Sequence, residues 1–214
     1  MKIKGVVFDM DGVVLDTEKL YIRFWCEAGN FYNYPMEAKH ALAIRSMARP
    51  FAIEKLKSFF GEDFDYYAVH SKRIELMDAY INENGIEAKP FAEELLSFLT
   101  ENGYKTAIAT ATAPERTEKY LKQVGLYQYF DKIVCASMVA QGKPKPDIYI
   151  KACEELGLKP EECMAIEDSP NGIRSASSAG CVTVMVPDQD EPDDEIRSLT
   201  YAVVKTLNDV QSLL

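Results

Sequence analysis

The sequence predicts an α/β fold, a doubly wound parallel sheet with an all-helical block inserted after its first strand. Three observations predict it. A short β-branched apolar run at residues 3–8 ends in a polar Asp-Gly turn. Residues 17–84 then lose strand-like runs and take on helical spacing. Beyond Pro90, short apolar runs alternate with amphipathic segments, the pattern of βαβ units and a parallel sheet.

The first run, IKGVVF, is too short for a helix and reads as a buried strand closing on Asp9-Met10-Asp11-Gly12. In the inserted block Tyr21, Phe24, Trp25 and Ala28 fall at i, i+3, i+4 and i+7, one face of a helix. Residues 51–60 and 66–81 repeat the pattern. Pro35, Pro50 and Gly61 punctuate it, giving about four helices. After Pro90 the order is helix 91–101, strand 106–110, helix 115–124, strand 132–136, helix 147–156, strand 163–166, helix 171–179 and strand 182–186. An edge strand at 201–204 precedes a last helix. Gly103, Gly125, Gly157 and Gly180 stop the helices. The acidic stretch 188–195 is expected as a solvated turn. Residues 1–16 and 86–214 thus form the α/β core and 17–85 a helical cap, with hinges at 15–17 and 88–90.

A chain of 214 residues suits one large domain, or a medium domain carrying an insertion. Its net charge of -10 repels nucleic acid and anionic membranes, so neither is an expected partner. An anionic substrate then requires a local patch of Lys, Arg or metal. Cys26, Cys135, Cys153, Cys163 and Cys181 form no CxxC and no zinc spacing. Their odd number, with no signal-peptide pattern, predicts a reducing cytoplasm. No apolar run is long enough to span a membrane. A monomer is expected.

Ligands of an open α/β sheet bind at the carboxyl ends of its strands. Here the first strand ends in Asp9 and Asp11, the second in Thr110 and the fourth in Glu167-Asp168, and the loop after the third carries Lys143. Asp9 and Asp11 alone would read as a polar turn. The four strand ends together read as chemistry. Clustered carboxylates do not all stay ionised without a cation. An oxygen-only set open to water favours Mg²⁺. Asp9 can then attack phosphorus to form an aspartyl-phosphate. Asp11 can protonate the leaving oxygen and activate the next nucleophile. Thr110 hydrogen-bonds the phosphoryl group, Thr112 adds a second hydroxyl, and Lys143 neutralises charge. Ser169 is the expected helix N-cap, which frees Glu167 and Asp168 for metal. Lys145 is expected at the surface, Trp25, Phe59 and Phe60 in the cap interior, and Asp16 bracing the first cap helix.

Asp9-Met10-Asp11-Gly12-Val13-Val14-Leu15-Asp16-Thr17 resembles the first motif of the haloacid dehalogenase superfamily. Thr110 after its apolar strand resembles the second. Gly142-Lys143-Pro144-Lys145-Pro146-Asp147 resembles the third, and Ile166-Glu167-Asp168-Ser169-Pro170-Asn171-Gly172 the fourth. The likeness spans essentially the whole chain. It implies a doubly wound core, a mobile helical cap and Mg²⁺, with Asp9 as nucleophile and Asp11 as acid and base. It implies metal ligation by the Asp9 side chain, the Asp11 main-chain carbonyl and Asp168, with Glu167 adjacent or bound through water.

Within the family the chain is similar to β-phosphoglucomutase and to small sugar-phosphate phosphatases. Arg45-Ser46-Met47-Ala48-Arg49 falls where such enzymes carry basic residues, so Arg45 and Arg49 are expected to bind substrate. Two departures weigh against a mutase. Tyr21 stands where the mutase has a His, and Ala113-Pro114 where it has Lys-Asn. The expectation is a Mg²⁺-dependent phosphatase of a small phosphorylated metabolite, a sugar phosphate. The alternatives are a β-phosphoglucomutase-like phosphomutase and a non-catalytic metal-binding protein. Asp11 argues against the last, because binding alone needs no acid.

Overall fold

A computed structural model describes residues 2–214. Six strands form one parallel sheet in the order β3-β2-β1-β4-β5-β6. They are β1 (Gly5–Phe8), β2 (Lys105–Thr110), β3 (Lys132–Cys135), β4 (Cys163–Glu167), β5 (Val182–Met185) and β6 (Ala202–Val203). Four helices make up the inserted block after β1: α1 (Glu18–Phe31), α2 (Ala38–Leu42), α3 (Arg49–Phe60) and α4 (Tyr66–Asn84). The others are α5 (Ala92–Glu101), α6 (Pro114–Gln123), α7 (Asp147–Leu156), α8 (Pro170–Ala179), α9 (Asp194–Leu199) and α10 (Leu207–Val210).

The strands are apolar on both faces because both are covered. Alternation in β1 sends Val6 and Phe8 one way, against Leu95, Leu96 and Leu99 of α5, Tyr120 of α6 and Val210 of α10. It sends Val7 the other way, against Ile148, Tyr149 and Ala152 of α7 and Ala176 of α8. This is the doubly wound arrangement. From β1 the sheet grows first toward β2 and β3, then on the other side toward β4, β5 and β6. The carboxyl ends of β1, β2 and β4 therefore meet at the switch point, where a crevice opens.

The helical block has its own interior, built from Trp25, Ala28, Met36, Leu56, Phe64 and Val69. Phe60 packs against it, whereas Phe59 is 42% exposed, with its ring beside His40 and Lys55. The helical period carries Phe59 off the buried face that Leu56 and Phe60 share, which corrects the expectation for that residue. The departing and returning linkers run side by side. Leu15 bridges Ala88, the Asp16 amide donates to the Glu87 carbonyl (2.9 Å), and the Lys89 amide donates to the Val14 carbonyl (2.8 Å).

The acidic stretch 188–195 is not a free solvated turn. Asp188 accepts from Lys89 (2.8 Å), Asp190 lies 3.0 Å from Arg45, and Asp193 caps α9 through the Ile196 amide. Its carboxylates find cations of the returning linker and the helical block. Among the described residues no helix is long and apolar enough to cross a membrane.

Candidate active site

The site assembles where β1, β2 and β4 end. Asp9 follows β1 directly and is 2% exposed. Its amide donates to the Ile166 carbonyl (2.9 Å), which fixes the backbone beyond the strand end. Its Oδ1 accepts from the buried Lys143 ammonium, while Oδ2 has no partner among the described residues. Burial pushes the Asp9 carboxyl up to about 7 against the pull of Lys143, and the charges of Glu167 and Asp11 add to the rise.

Lys143 also donates to Glu167 Oε1 (2.6 Å), and its ammonium sits 5.2 Å from the Tyr149 ring centre. Burial alone would lower its pKa. The carboxylates of Asp9 and Glu167 outweigh that and hold it above the usual lysine value, so it stays charged. Lys145, two residues on, is exposed. Glu167 is saturated. Tyr149 hydroxyl (2.6 Å) donates to the same Oε1, and Oε2 accepts from the Asp168 amide (3.2 Å) and the Ser169 hydroxyl (3.2 Å). Ser169 also accepts from the Gly172 amide (3.1 Å), so it is the N-cap of α8.

Asp168 is fully buried, and neither carboxylate oxygen has a hydrogen-bond partner among the described residues. Burial holds its pKa well above the usual carboxylate range although Arg45 opposes the rise. Arg45, from the helical block, is itself buried. Its Nη1 lies 3.4 Å from Asp168 Oδ2, and its Nη2 donates to the Asp168 carbonyl (2.8 Å).

One oxygen each of Asp9, Glu167 and Asp168 lies within 4.8 Å of the others. Asp9 Oδ2 and both Asp168 oxygens are buried acceptors lacking donors, an arrangement costly without a cation. The donor set is oxygen only and therefore fits a hard divalent ion such as Mg²⁺. Gly12 guards this space. Its φ is +89°, and a Cβ there would sit 2.1 Å from Asp168 Oδ2. Gly12→Ala is therefore expected to displace Asp168 and strain the turn by about 1–3 kcal/mol. The test is a lower Tm together with weaker Mg²⁺ binding by calorimetry.

Asp11 turns away from that cluster into a cradle of hydroxyls. Thr17 donates to Oδ1 (2.6 Å), and Thr112 (2.8 Å) and Thr110 (3.5 Å) donate to Oδ2. Burial raises its pKa, and the Thr17 and Thr112 hydrogen bonds partly restrain it. Tyr21 of α1 meets Thr112 Oγ1 at 3.1 Å, so the helical block touches the Asp11 cradle. Asp16 pairs with Lys19 in the first turn of α1.

Above these groups lies a cleft of about 910 Å³ between the helical block and the sheet, lined by Asp9, Asp11, Thr112, Arg45 and Arg49. Arg49 is exposed at the start of α3. Arg45 points to Asp168 and Asp190 instead of the far end of the cleft. Thus Asp9, Asp11, Thr110, Thr112, Lys143, Glu167, Asp168 and Arg45 converge at the strand ends, and Arg49 stands apart.

Sequence reasoning missed five groups: Thr17, Glu18, Tyr21, Arg73 and Tyr149. Arg73 had a visible signal, a charge in the inward stripe Tyr66, Val69, Arg73, Met77 and Ile81 of α4. Glu18 is buried in the cleft beside Asp168, and burial with that neighbouring charge holds its pKa well above the usual range. Tyr149 carried only an apolar helical pattern and no sign of its hydroxyl contact.

The family model for haloacid dehalogenase-like hydrolases matches residues 3–180. The chain is 31% identical over 216 aligned residues to a phosphorylated carbohydrates phosphatase of Thermotoga maritima, covering 99% of this chain and 90% of that one. It is 33% identical to a probable pseudouridine-5'-phosphatase of Drosophila melanogaster, covering 87% and 83%. Its fold is similar to that of β-phosphoglucomutase from Clostridium difficile, with a TM-score of 0.82 at 23% identity, covering 97% and 93%. The convergence of four strand ends on one acidic crevice, the family match and these relatives agree: the chain belongs to the haloacid dehalogenase-like hydrolases and is a phosphoric monoester hydrolase of that family.

Proposed function

We propose that this hydrolase is a Mg²⁺-dependent phosphatase of a small phosphorylated metabolite, a sugar phosphate, working through an aspartyl-phosphate on Asp9. One observation carries the reading. Asp9 has one oxygen held by Lys143 and the other bare, in a cleft that Asp11 also lines. Asp9 and Asp168 would hold Mg²⁺ through their bare oxygens, together with the main-chain carbonyl of Asp11. Glu167, whose oxygens accept from Lys143, Tyr149 and Ser169, would stand adjacent to the ion or reach it through water. Bound Mg²⁺ neutralises phosphoryl charge and keeps Asp9 ionised beside it.

The Asp9 carboxylate forms a bond to phosphorus while the ester P–O bond breaks. Asp11, whose pKa burial raises, gives its proton to the departing oxygen. The ionised Asp11 then takes a proton from water, which attacks phosphorus and releases phosphate and Asp9. Lys143 stays charged against the phosphoryl group throughout. Thr110 and Thr112 hold Asp11 in place.

Residues 17–85 act as the cap that excludes water during the first step and admits it for the second. Transfer to water, not back to a sugar, is favoured by what flanks the second strand end. Ala113 and Pro114 offer no cation to a second phosphate there. Five free cysteines suit a reducing cytoplasm.

Incubation with Mg²⁺ and a panel of sugar phosphates is expected to release phosphate, and chelation to stop the release. Conversion of β-glucose 1-phosphate to glucose 6-phosphate faster than hydrolysis would establish the mutase instead. Undiminished turnover after chelation would overturn the metal's role.

A further inference from the structure

The cysteines are scattered in sequence, but the fold gathers three of them on one side of the sheet. Cys153 lies in α7, Cys163 opens β4, and Cys181 stands just before β5. Cys153 Sγ lies 3.8 Å from Cys181 Sγ, although the two are 28 positions apart in sequence. The Cys153 and Cys163 thiols share a hydrogen bond. Strand register explains the meeting. Met164 pairs with Val182, so Cys163 and Cys181 precede the same pair, and α7 covers that face of the sheet. The other two lie elsewhere, Cys26 in the helical block and Cys135 beside Thr117.

As small apolar groups Cys153 and Cys163 fit their core, where both are fully buried with Val7, Ile148 and Ala165. Cys181 differs, because it is half-buried and gives solvent a way to the cluster. The thiol hydrogen bond with Cys153, then burial, hold the Cys163 thiol far above the ordinary cysteine value. At Cys153 the bond with Cys163 pulls down, but the bond with Cys181 and burial outweigh it. Since the thiolate is the nucleophile, neither buried thiol starts an oxidation. Cys181 starts it and Cys153 completes it. With hydrogen peroxide as oxidant, the Cys181 sulfur bonds one oxygen, the O–O bond breaks, and the other oxygen leaves with the thiol proton as water. The Cys153 sulfur then attacks that sulfenic acid. The S–O bond breaks, and the hydroxyl leaves with the Cys153 proton as a second water. The two sulfurs give up two electrons, which reduce the peroxide.

The pair is tied to the active site through α7. Tyr149 lies one turn before Cys153 on the same buried face of that helix. Its hydroxyl donates to Glu167 Oε1 (2.6 Å), the oxygen that also accepts from Lys143 (2.6 Å). An S–S bond is about 2 Å long, so two sulfurs 3.8 Å apart must close by almost half their separation. A close-packed interior leaves little room to do so by side-chain rotation alone, and part of the shift falls on α7. We propose that Cys153 and Cys181 form a peroxide-oxidisable pair whose disulfide draws α7 toward the α8–β5 turn and, through Tyr149, loosens Glu167 and slows turnover. Thiol reductants reverse it. Tyr149 acts as a positioning residue in this scheme, and Cys163 stays a thiol.

The whole chain is titrated with hydrogen peroxide, alkylated and mapped by peptide mass. A Cys153–Cys181 linkage is expected before any other thiol is lost, with two hydrogens gone from the intact mass and dithiothreitol returning them. Turnover of p-nitrophenyl phosphate in Mg²⁺ is expected to fall in step with linkage, by at least about threefold in kcat with KM held within about twofold. Cys181→Ser should keep the reduced wild-type rate and lose the peroxide response. Cys163→Ala should still link. Tyr149→Phe should start slow, form the same disulfide and slow no further. A Cys153–Cys163 bond, oxidation of Cys181 only to its sulfinic acid, fully linked protein with unchanged kcat, or equal slowing of Cys181→Ser overturns the proposal.

Mg²⁺ binding by calorimetry needs no substrate and separates this failure from that of the phosphatase reading. One Glu167 oxygen lies within 4.8 Å of oxygens of Asp9 and Asp168, so linked protein is expected to bind Mg²⁺ at least about threefold more weakly than reduced protein. That loss in a chain releasing no phosphate from any ester sinks the phosphatase reading and keeps the thiol pair. Phosphate release with equal kcat and equal Mg²⁺ affinity in linked and reduced protein sinks the thiol pair alone.

Discussion

Asp9→Asn is expected to cut phosphate release by about four to six orders of magnitude, the scale on which a nucleophile acting within a concerted set is lost. The amide keeps the shape, and its oxygen can still accept from Lys143. What it loses is the charge and the bare oxygen, which among the described residues no donor satisfies. The remaining carboxylates cannot substitute. Glu167 is occupied by Lys143, Tyr149 and Ser169, and Asp11 is turned into its cradle of hydroxyls. The variant should fold, because removing a buried carboxylate relieves the burial that raises its pKa. Intact mass under turnover should show a phosphorylated wild type and an unmodified variant. Phosphate release near the wild-type rate would remove Asp9 from the chemistry.

The second large effect is that of Asp11→Asn, about two to four orders in turnover on a sugar phosphate, the usual contribution of a general acid and base. Here the leaving group matters. A sugar alkoxide needs a proton, whereas p-nitrophenolate leaves without one. On p-nitrophenyl phosphate the variant should therefore release a burst of p-nitrophenol and then stall as phosphoenzyme, with no base to activate water. Equal slowing of burst and steady state would show that Asp11 only shapes the site. Thr17, Thr110 and Thr112 all donate to the Asp11 carboxylate. The new amide nitrogen must therefore turn some of these hydroxyls around, and a Tm comparison separates that disturbance from the chemical loss.

Most of the fold was legible because its elements are long, periodic and stopped by glycine. The sheet strands fell within a residue or two of their observed bounds, and the helix 147–156 matched residue for residue. The site was legible where strand ends carry it, since topology alone brings Asp9, Thr110 and Glu167 together. Side-chain direction was not. Arg45 and Arg49 look equivalent in sequence, yet the turn between α2 and α3 sends Arg45 to Asp168 and leaves Arg49 exposed. The acidic stretch 188–195 could not reveal its partners, because Lys89 and Arg45 lie about a hundred residues or more away in sequence. Arg73 stood out only as a charge in an inward stripe, and the stripe gave it no role. Its stripe reads as core, and only the packed helices show that the core opens there into a cleft.

The paired linkers have a further consequence. Leu15 and Ala88 are bridged, so the chain leaves the sheet and comes back at nearly the same point. To the α/β core the seventy or so intervening residues are an excursion with coincident ends; the sheet order does not depend on them, and they reach the strand-end carboxylates through Thr17 at Asp11 and Arg45 at Asp168. Such an insert is a cassette. A different helical block spliced onto the same two residues would inherit Asp9 and Lys143 on the core, and would need its own partners for Asp11 and Asp168 in place of Thr17 and Arg45. Substrate range can thus diversify in one segment of the gene while the reaction stays written in the rest.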